Sequence, residues 1–338
     1  MLRAAIIGLG NIGSRFDADP KRRGVWTHAG AYERADGLVL AAGADPDAEA
    51  RAVFAAMRGI RDVFADYREM LDRVKPDIVS ICTPPEMHVE MGHSALDAGV
   101  RGIFCEKPLA ASLADARGLI DACRKRGVAL AVNHTRRWDR EWLWPKALVA
   151  QGMIGTVTSV TAWYYGGALN LCSHLIDTIH MLTGWRATAA SDAVSHGAGN
   201  DPGINGTLHF GPNMSARIAC ADGNRDLWFE IDAAGTQGRL RVLDNGSRLE
   251  LYQWTPSERY SGYRELALVP SVNPLPERDR FVEAVQDLGS CIGNQRQPAC
   301  SGEDGFAALA GVLALKESAA AGGARVSVVP ALVEEETP

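Results

Sequence analysis

A chain of 338 residues, 46% hydrophobic and 22% charged, exceeds what one hydrophobic core usually serves, so two domains are expected. Its net charge of −6, without a long basic run, argues against nucleic acid or an anionic membrane as partner and leaves small molecules. The cysteines at 82, 105, 123, 172, 220, 291 and 300 are scattered and never form C-x-x-C, which disfavours a disulfide framework and a zinc site; no metal is expected. The opening residues show no signal-peptide pattern and no apolar run is long enough to span a bilayer, so the expected compartment is the cytoplasm.

Residues Leu2 to Ile7 read as an apolar strand, followed at once by Gly8-Leu9-Gly10-Asn11-Ile12-Gly13. The pattern G-x-G-x-x-G after a strand and before an expected helix is a dinucleotide fingerprint, because glycines allow the tight turn and let backbone N–H groups approach a pyrophosphate. Asp17 to His28, charge-rich and holding Pro20 and Gly24, reads as an inserted loop near the cofactor mouth. A second strand, Leu38 to Ala44, ends in Asp45, either an ordinary turn acid or the acceptor for the adenosine ribose hydroxyls. In the second role it repels a 2′-phosphate and favours NAD over NADP.

The segment from Pro76 to Cys82 is the next strand, stopped by Thr83-Pro84-Pro85, and a helical stretch from Glu86 to Ala98 leads to the strand beginning at Ile103. This βαβ order builds a parallel sheet. Ile103-Phe104-Cys105-Glu106-Lys107-Pro108 closes with an acid, a base and a strand-ending proline, which puts Lys107 at the carboxyl end of a strand, the edge where open parallel sheets bind ligands. Ser112 to Asp115 is a capping box opening a helix with apolar residues at 113, 116, 119, 120 and 123, and Val128 to Val132 is a further strand ending at Asn133.

Beyond residue 135 short strands follow one another without helices between them: 156–165, 207–210, 214–220, 227–233, 239–243 and 248–254. That rhythm implies a second, α+β domain with an antiparallel sheet. The expected division is 1–134, 135–331 and a frayed acidic tail at 332–338.

The chain resembles the Gfo/Idh/MocA family of NAD(P)-dependent oxidoreductases. The residues carrying the resemblance are the glycine loop, Ala44-Asp45-Pro46-Asp47, Cys82-Thr83-Pro84-Pro85 with His88, Cys105-Glu106-Lys107-Pro108-Leu109, Asn133 with Arg136-Arg137-Trp138, Gly166-Gly167, Ser173-His174-Leu175-Ile176-Asp177 and Ser301 to Gly305. It implies a Rossmann domain followed by an α+β domain whose open, mostly antiparallel sheet makes the interface of a homodimer or homotetramer. It also implies a catalytic set of Lys107, His174 and Asn170, with His174 opposite the lysine. The cofactor contacts it implies are Gly8, Gly10, Asn11, Ile12, Gly13, Asp45, Thr83, Pro84, His88, Glu106 and Lys107. Lys107, Asn133, Arg137, Asn170 and His174 are the implied substrate contacts, and a cis Lys107–Pro108 bond is implied as well. A lysine near a nicotinamide cation suits removal of a hydroxyl proton, and a histidine titrating near neutrality can share it.

One position departs from the family pattern. Sugar and cyclitol dehydrogenases carry Asp four residues before the histidine, where this chain has Asn170, which hydrogen-bonds but is no base. Asparagine here resembles members acting on nucleotide-linked N-acetylated sugar acids. Arg136 and Arg137 fit either a substrate carboxylate or phosphate, or structural salt bridges. Trp163, Tyr164 and Tyr165 fit either a sugar site or a strand half in the core. The leading expectation is an NAD-dependent dehydrogenase of a sugar, cyclitol or sugar derivative. An NAD-dependent glycosidase using transient oxidation and a non-catalytic regulatory protein are the alternatives.

Overall fold

The computed structural model describes residues 1–211, 213–221, 226–270, 279–294 and 296–329, so the tail at 332–338 lies outside the described residues. Two compact units emerge, one holding the described residues of 1–139 and 277–306, the other those of 140–276 and 307–338.

In the first unit, β1 (Leu2–Ile7), α1 (His28–Arg34), β2 (Leu38–Ala44), α2 (Ala48–Arg58), β3 (Val63–Phe64), α3 (Tyr67–Val74), β4 (Ile78–Ile81), α4 (Pro85–Asp97), β5 (Gly102–Cys105), α5 (Leu113–Arg126) and β6 (Ala129–Val132) alternate strand and helix. The six strands pair in parallel in the order β3-β2-β1-β4-β5-β6. Every residue of β4 and β5 is buried, as expected for strands covered by helices on both faces. Phe104, Ile103 and Ile78 are fully buried, each contributing roughly 1.5–3 kcal/mol. The helices start where short polar side chains cap them: Asp47 accepts from Glu49 N–H, Asp66 from Arg68 N–H, and Ser112 from Asp115 N–H.

The helix expected straight after the glycine loop is divided. One turn begins at the loop, with Ser14 N–H bonded to the Gly10 carbonyl, and a 3-10 turn at Arg15–Ala18 then leads the chain away. It returns at α1, whose first N–H groups, on His28 and Ala29, bond the Ile12 and Gly13 carbonyls. The excursion is closed at its base by Asp17, which accepts from Trp26 N–H and Thr27 Oγ1 and pairs with Arg58 at 2.7 Å. Arg58 also reaches the Ser14 carbonyl and Glu33.

The second unit starts with α6 (Arg140–Ala150), β7 (Val157–Tyr165) and α7 (Ser173–Thr183), then runs through β8 (Ala189–His196), β9 (Gly203–Phe210), β10 (Met214–Ala221), β11 (Phe229–Gly235), β12 (Gly238–Leu243), β13 (Arg248–Pro256) and β14 (Arg264–Leu268). With β15 (Val326–Ser327), these described strands form a nine-stranded sheet, antiparallel except for the parallel β7–β10 pair. Along β7 burial alternates, and Tyr164 points to the core while Trp163 and Tyr165 are half-buried, which fits the half-core reading of this aromatic run.

The structure differs from the expected division in two respects, the first being that the first unit runs to Asp139 where 134 was expected. Second, helix α8 (Arg280–Asn294) and the start of α9 (Gly302–Ala320) belong with the first unit, because Phe281, Ala284, Val285 and Leu288 bury an apolar stripe there. Strand periodicity in the neighbouring sequence could not reveal which sheet that stripe would cover.

Candidate active site

One edge of the parallel sheet gathers most of the expected cofactor residues, since parallel strands all deliver their carboxyl ends to the same side. In sheet order these ends carry Asp45 after β2, the glycine loop after β1, Thr83 and Pro84 after β4, Glu106 and Lys107 after β5, and Asn133 after β6. In the loop, Gly8 has φ +92° and a Cβ there would stand 2.7 Å from the Cys82 carbonyl oxygen; a Cβ on Gly13 would stand 2.2 Å from the Gly8 oxygen. Gly10, by contrast, has nothing within 4 Å of the same position, leaving an open face on the loop. Asn11 is exposed and Ile12 half-buried. Asp45 accepts from Leu9 N–H at 2.8 Å and from Asp47 N–H at 2.9 Å, which ties the carboxylate to the glycine loop.

Lys107 is half-buried, and the Lys107–Pro108 peptide is cis as the resemblance implied. Its neighbour Glu106 points inward. The carboxylate accepts from His28 Nε2 at 3.0 Å, Asn133 Nδ2 at 2.5 Å and the Lys107 backbone N–H at 3.3 Å. Burial alone would raise the Glu106 pKa, but the hydrogen bond and charge of His28, the Lys107 charge and the Asn133 bond outweigh it and hold the carboxyl below its usual range. Behind His28, Nδ1 meets Ser80 Oγ at 2.9 Å and Ser80 meets Tyr32 Oη at 2.8 Å. Reading the sequence missed His28, Ser80 and Tyr32. His28 stands at the end of a stretch read as loop, and no spacing signal links it to Glu106.

Asn133 is buried, and with its amide nitrogen held by Glu106 its Oδ1 has no hydrogen-bond partner among the described residues. A flip of the amide would oppose two acceptors at Glu106, so this orientation follows from the network. His88, expected at the cofactor, is fully buried, and its nitrogens meet the Pro108 and Thr83 carbonyl oxygens at 3.0 and 2.8 Å. It joins the turn after β4 to the turn after β5. Arg137, expected as a substrate contact, pairs with Asp304 at 3.0 Å and reaches the Ala299 carbonyl, so its contacts fit the salt-bridge alternative.

In the second unit, His174 is half-buried on α7 and Asn170 is exposed. They do not share one regular α-helix. Ala168–Cys172 forms a π-helical turn running into α7, and wide turns of this kind are frequent at functional sites. Asp201, which the sequence reading did not single out, accepts from Leu169 N–H at 2.8 Å and Asn170 N–H at 2.9 Å. The carboxylate approaches so closely that a Cβ on Gly167 would stand 2.0 Å from it.

Residues 2–134 match the family described as "Oxidoreductase family, NAD-binding Rossmann fold". Over that domain the chain is similar to the Gfo/Idh/MocA oxidoreductases. It is 26% identical over 315 residues to 1,5-anhydro-D-fructose reductase of Ensifer adhaerens, covering 86% of this chain and 92% of that protein. To myo-inositol 2-dehydrogenase of Thermotoga maritima it is 24% identical over 351 residues, covering 94% and 96%. In fold it resembles the aldose-aldose oxidoreductase of Caulobacter crescentus, with a TM-score of 0.79 at 22% identity over 96% of this chain and 99% of that one.

The glycine loop fits the dinucleotide that Rossmann domains of this description bind. Two glycines are required by close backbone approach, the middle glycine opens outward, and an acid anchors the loop from the next strand. Among the described residues no cluster of His, Cys, Asp or Glu is arranged to hold a metal ion, and no helix is long and apolar enough to cross a membrane.

Proposed function

We propose that the enzyme transfers hydride between a secondary alcohol of a sugar, cyclitol or sugar derivative and NAD, with NAD preferred over NADP and Lys107 as the proton acceptor. The observation supporting this reading most directly is that the glycine loop and Lys107 leave the same edge of one sheet, from strands separated only by β4. At the usual strand spacing the two lie about 10 Å apart across the sheet, a span a dinucleotide bridges from pyrophosphate to nicotinamide. Bound NAD supplies the hydride acceptor. The chain's own residues do the remainder: Lys107 takes the hydroxyl proton, Asn133 Oδ1 offers an unused acceptor, and Asp45 receives the ribose hydroxyls. His174 is a second proton carrier, and Asn170 a neutral hydrogen-bonding group for the substrate. Homo-oligomerisation through the nine-stranded sheet belongs to the same reading.

The names of the relatives support a carbohydrate-like substrate. A spectrophotometric screen of polyols including myo-inositol, aldoses, uronic acids and nucleotide sugars, each with NAD, tests it. Steady accumulation of NADH with one of them supports the dehydrogenase. Product release without net NADH would instead favour transient oxidation, and silence across all four classes would remove this substrate assignment.

A further inference from the structure

Lys107 is preceded by a carboxylate that the first unit buries and then satisfies with unusual completeness, and His28, Ser80 and Tyr32 behind that carboxylate have no place in the function proposed above. Glu106 is 7% exposed, Asn133 2%, Tyr32 1%, and His28 and Ser80 0%. A carboxylate so placed would ordinarily take up a proton rather than remain charged. Here Oε1 has donors from His28 and Asn133 and Oε2 has the Lys107 N–H. Because an ionised carboxylate only accepts, Nε2 of His28 carries a proton whatever the state of Nδ1. The Ser80 hydroxyl then meets Nδ1, and Tyr32 meets Ser80, so the ring is gripped at both nitrogens.

The packing leaves the ring little freedom. Phe104 lies against it with centroids 4.5 Å apart, and Phe281 meets it edge-on at 5.8 Å. The groups facing His28 are thus Tyr32 from its own helix, Ser80 from β4, Phe104 and Glu106 from β5 and its end, Asn133 from the end of β6, and Phe281 from α8. The Glu106 charge in turn helps burial to raise the neighbouring Cys82 and Cys105 thiols. Burial holds Tyr32 and both thiols in their neutral forms, so the charges acting on Glu106 among these groups are those of His28 and Lys107.

We infer that His28 is a positioning residue that keeps Glu106 ionised and fixed beside Lys107, and that this carboxylate sets the proton affinity of the lysine. The inference rests on Lys107 being the proton acceptor proposed above. The physical need is plain. A lysine made partly apolar in its surroundings loses affinity for its proton, whereas a fixed neighbouring negative charge restores it; a group that removes a proton in one direction and returns it in the other works best with a pKa near the operating pH. The divided first helix serves this arrangement. Resuming at His28 after the excursion, it brings an imidazole under the sheet edge where an uninterrupted helix would place another residue.

The test reads the lysine directly and needs no substrate. Competitive acetylation of the folded protein with acetic anhydride, followed by mass spectrometry of the Lys107 peptide across pH, yields the apparent pKa of Lys107. Glu106→Gln and His28→Leu should each lower it by about 1 unit or more, the first by deleting the charge and the second by letting the buried carboxyl take up a proton. His28→Gln, which keeps a donor, should stay near wild type. The inference is overturned if Glu106→Gln and His28→Leu leave the value unchanged, or if His28→Gln shifts it as far as His28→Leu. Should His28→Leu not fold, Ser80→Ala serves in its place, with a smaller shift in the same direction expected and no shift counting against the inference. Turnover of Lys107→Ala separates the two readings. An active Lys107→Ala enzyme would defeat the proposed function, while an inactive one combined with an unshifted lysine in Glu106→Gln would defeat only this inference.

Discussion

Nε2 of His28 and Oε1 of Glu106 lie 3.0 Å apart in the interior of the first unit, though 78 positions separate them in the chain. The pair has a consequence for stability that does not depend on catalysis. The Glu106 pKa is lowered in the folded protein from a reference of 4.5, with burial opposing the shift and His28, Lys107 and Asn133 producing it. A depressed carboxylate pKa stabilises the fold above the unfolded value, and that stabilisation is lost as pH falls below 4.5 and through the folded value. Glu106→Gln should therefore flatten the acid side of the stability profile, measured as urea midpoints between pH 6 and pH 3 (~3 pH units). A profile as steep as wild type would show that Glu106 titrates alike in both states.

Asp45 should discriminate between cofactors. Tryptophan-fluorescence titration is expected to show tighter binding of NAD than of NADP, and Asp45→Ala should narrow the gap by relieving charge repulsion with the 2′-phosphate. It should also weaken NAD, because the bond to Leu9 N–H is lost. Equal or tighter NADP binding by the wild type would remove the assignment.

Lys107→Ala should lower kcat by at least ~10²-fold while NAD binding is largely retained, the scale of a positioned acid–base group. Lys107→Arg should be as poor, since a guanidinium does not release its proton at neutral pH. Stopped assays alongside fluorescence titration distinguish lost chemistry from lost cofactor.

On α7 and the turn before it, His174→Ala should be severely impaired in kcat, whereas Asn170→Ala should chiefly raise KM, the signature of lost binding common to ground and transition states. Asn170→Asp should shift the pH profile without raising the rate. Asp201→Ala removes the acceptor for two backbone N–H groups and should cost about 1 kcal/mol in denaturant melts, with a rise in KM as the π-helical turn loosens. A reversal, with Asn170→Ala abolishing kcat and His174→Ala near wild type, would exchange the two roles.

Arg58 should matter out of proportion to its place on a surface helix. Its side chain is 7% exposed and joins Asp17, Glu33 and Ser14 at the base of the excursion. Arg58→Ala leaves the half-buried Asp17 without its ion-pair partner, and the expected loss is about 2 kcal/mol in a urea melt. A loss below ~1 kcal/mol would mean that the excursion is closed by packing and by Thr27 alone.

Local chemistry was enough to place five of the six strands of the first unit, the two-residue β3 at Val63–Phe64 being the one not read from the sequence. Leu2–Ile7 and Leu38–Ala44 are apolar runs bounded by glycine or acid, and both strands occupy those residues. The capping box at Ser112 and the proline after Lys107 likewise act within a few residues of themselves, so their outcome could be read in order along the chain. Parallel pairing then follows from βαβ alternation, and with it the common sheet edge at which Asp45, the glycine loop, Lys107 and Asn133 emerge, while the strand order is seen only in the fold. Other features depend on contacts between distant segments. Whether α8 covers the first sheet, whether His88 faces a ligand or two carbonyl oxygens, and whether Arg137 is open or paired with Asp304 are settled by which surfaces meet. The same holds for Asp201 at Asn170 and for the path from Tyr32 through Ser80 and His28 to Glu106. A hydrogen bond between residues tens of positions apart leaves no periodicity in the sequence, because burial selects its partners only once the chain has folded.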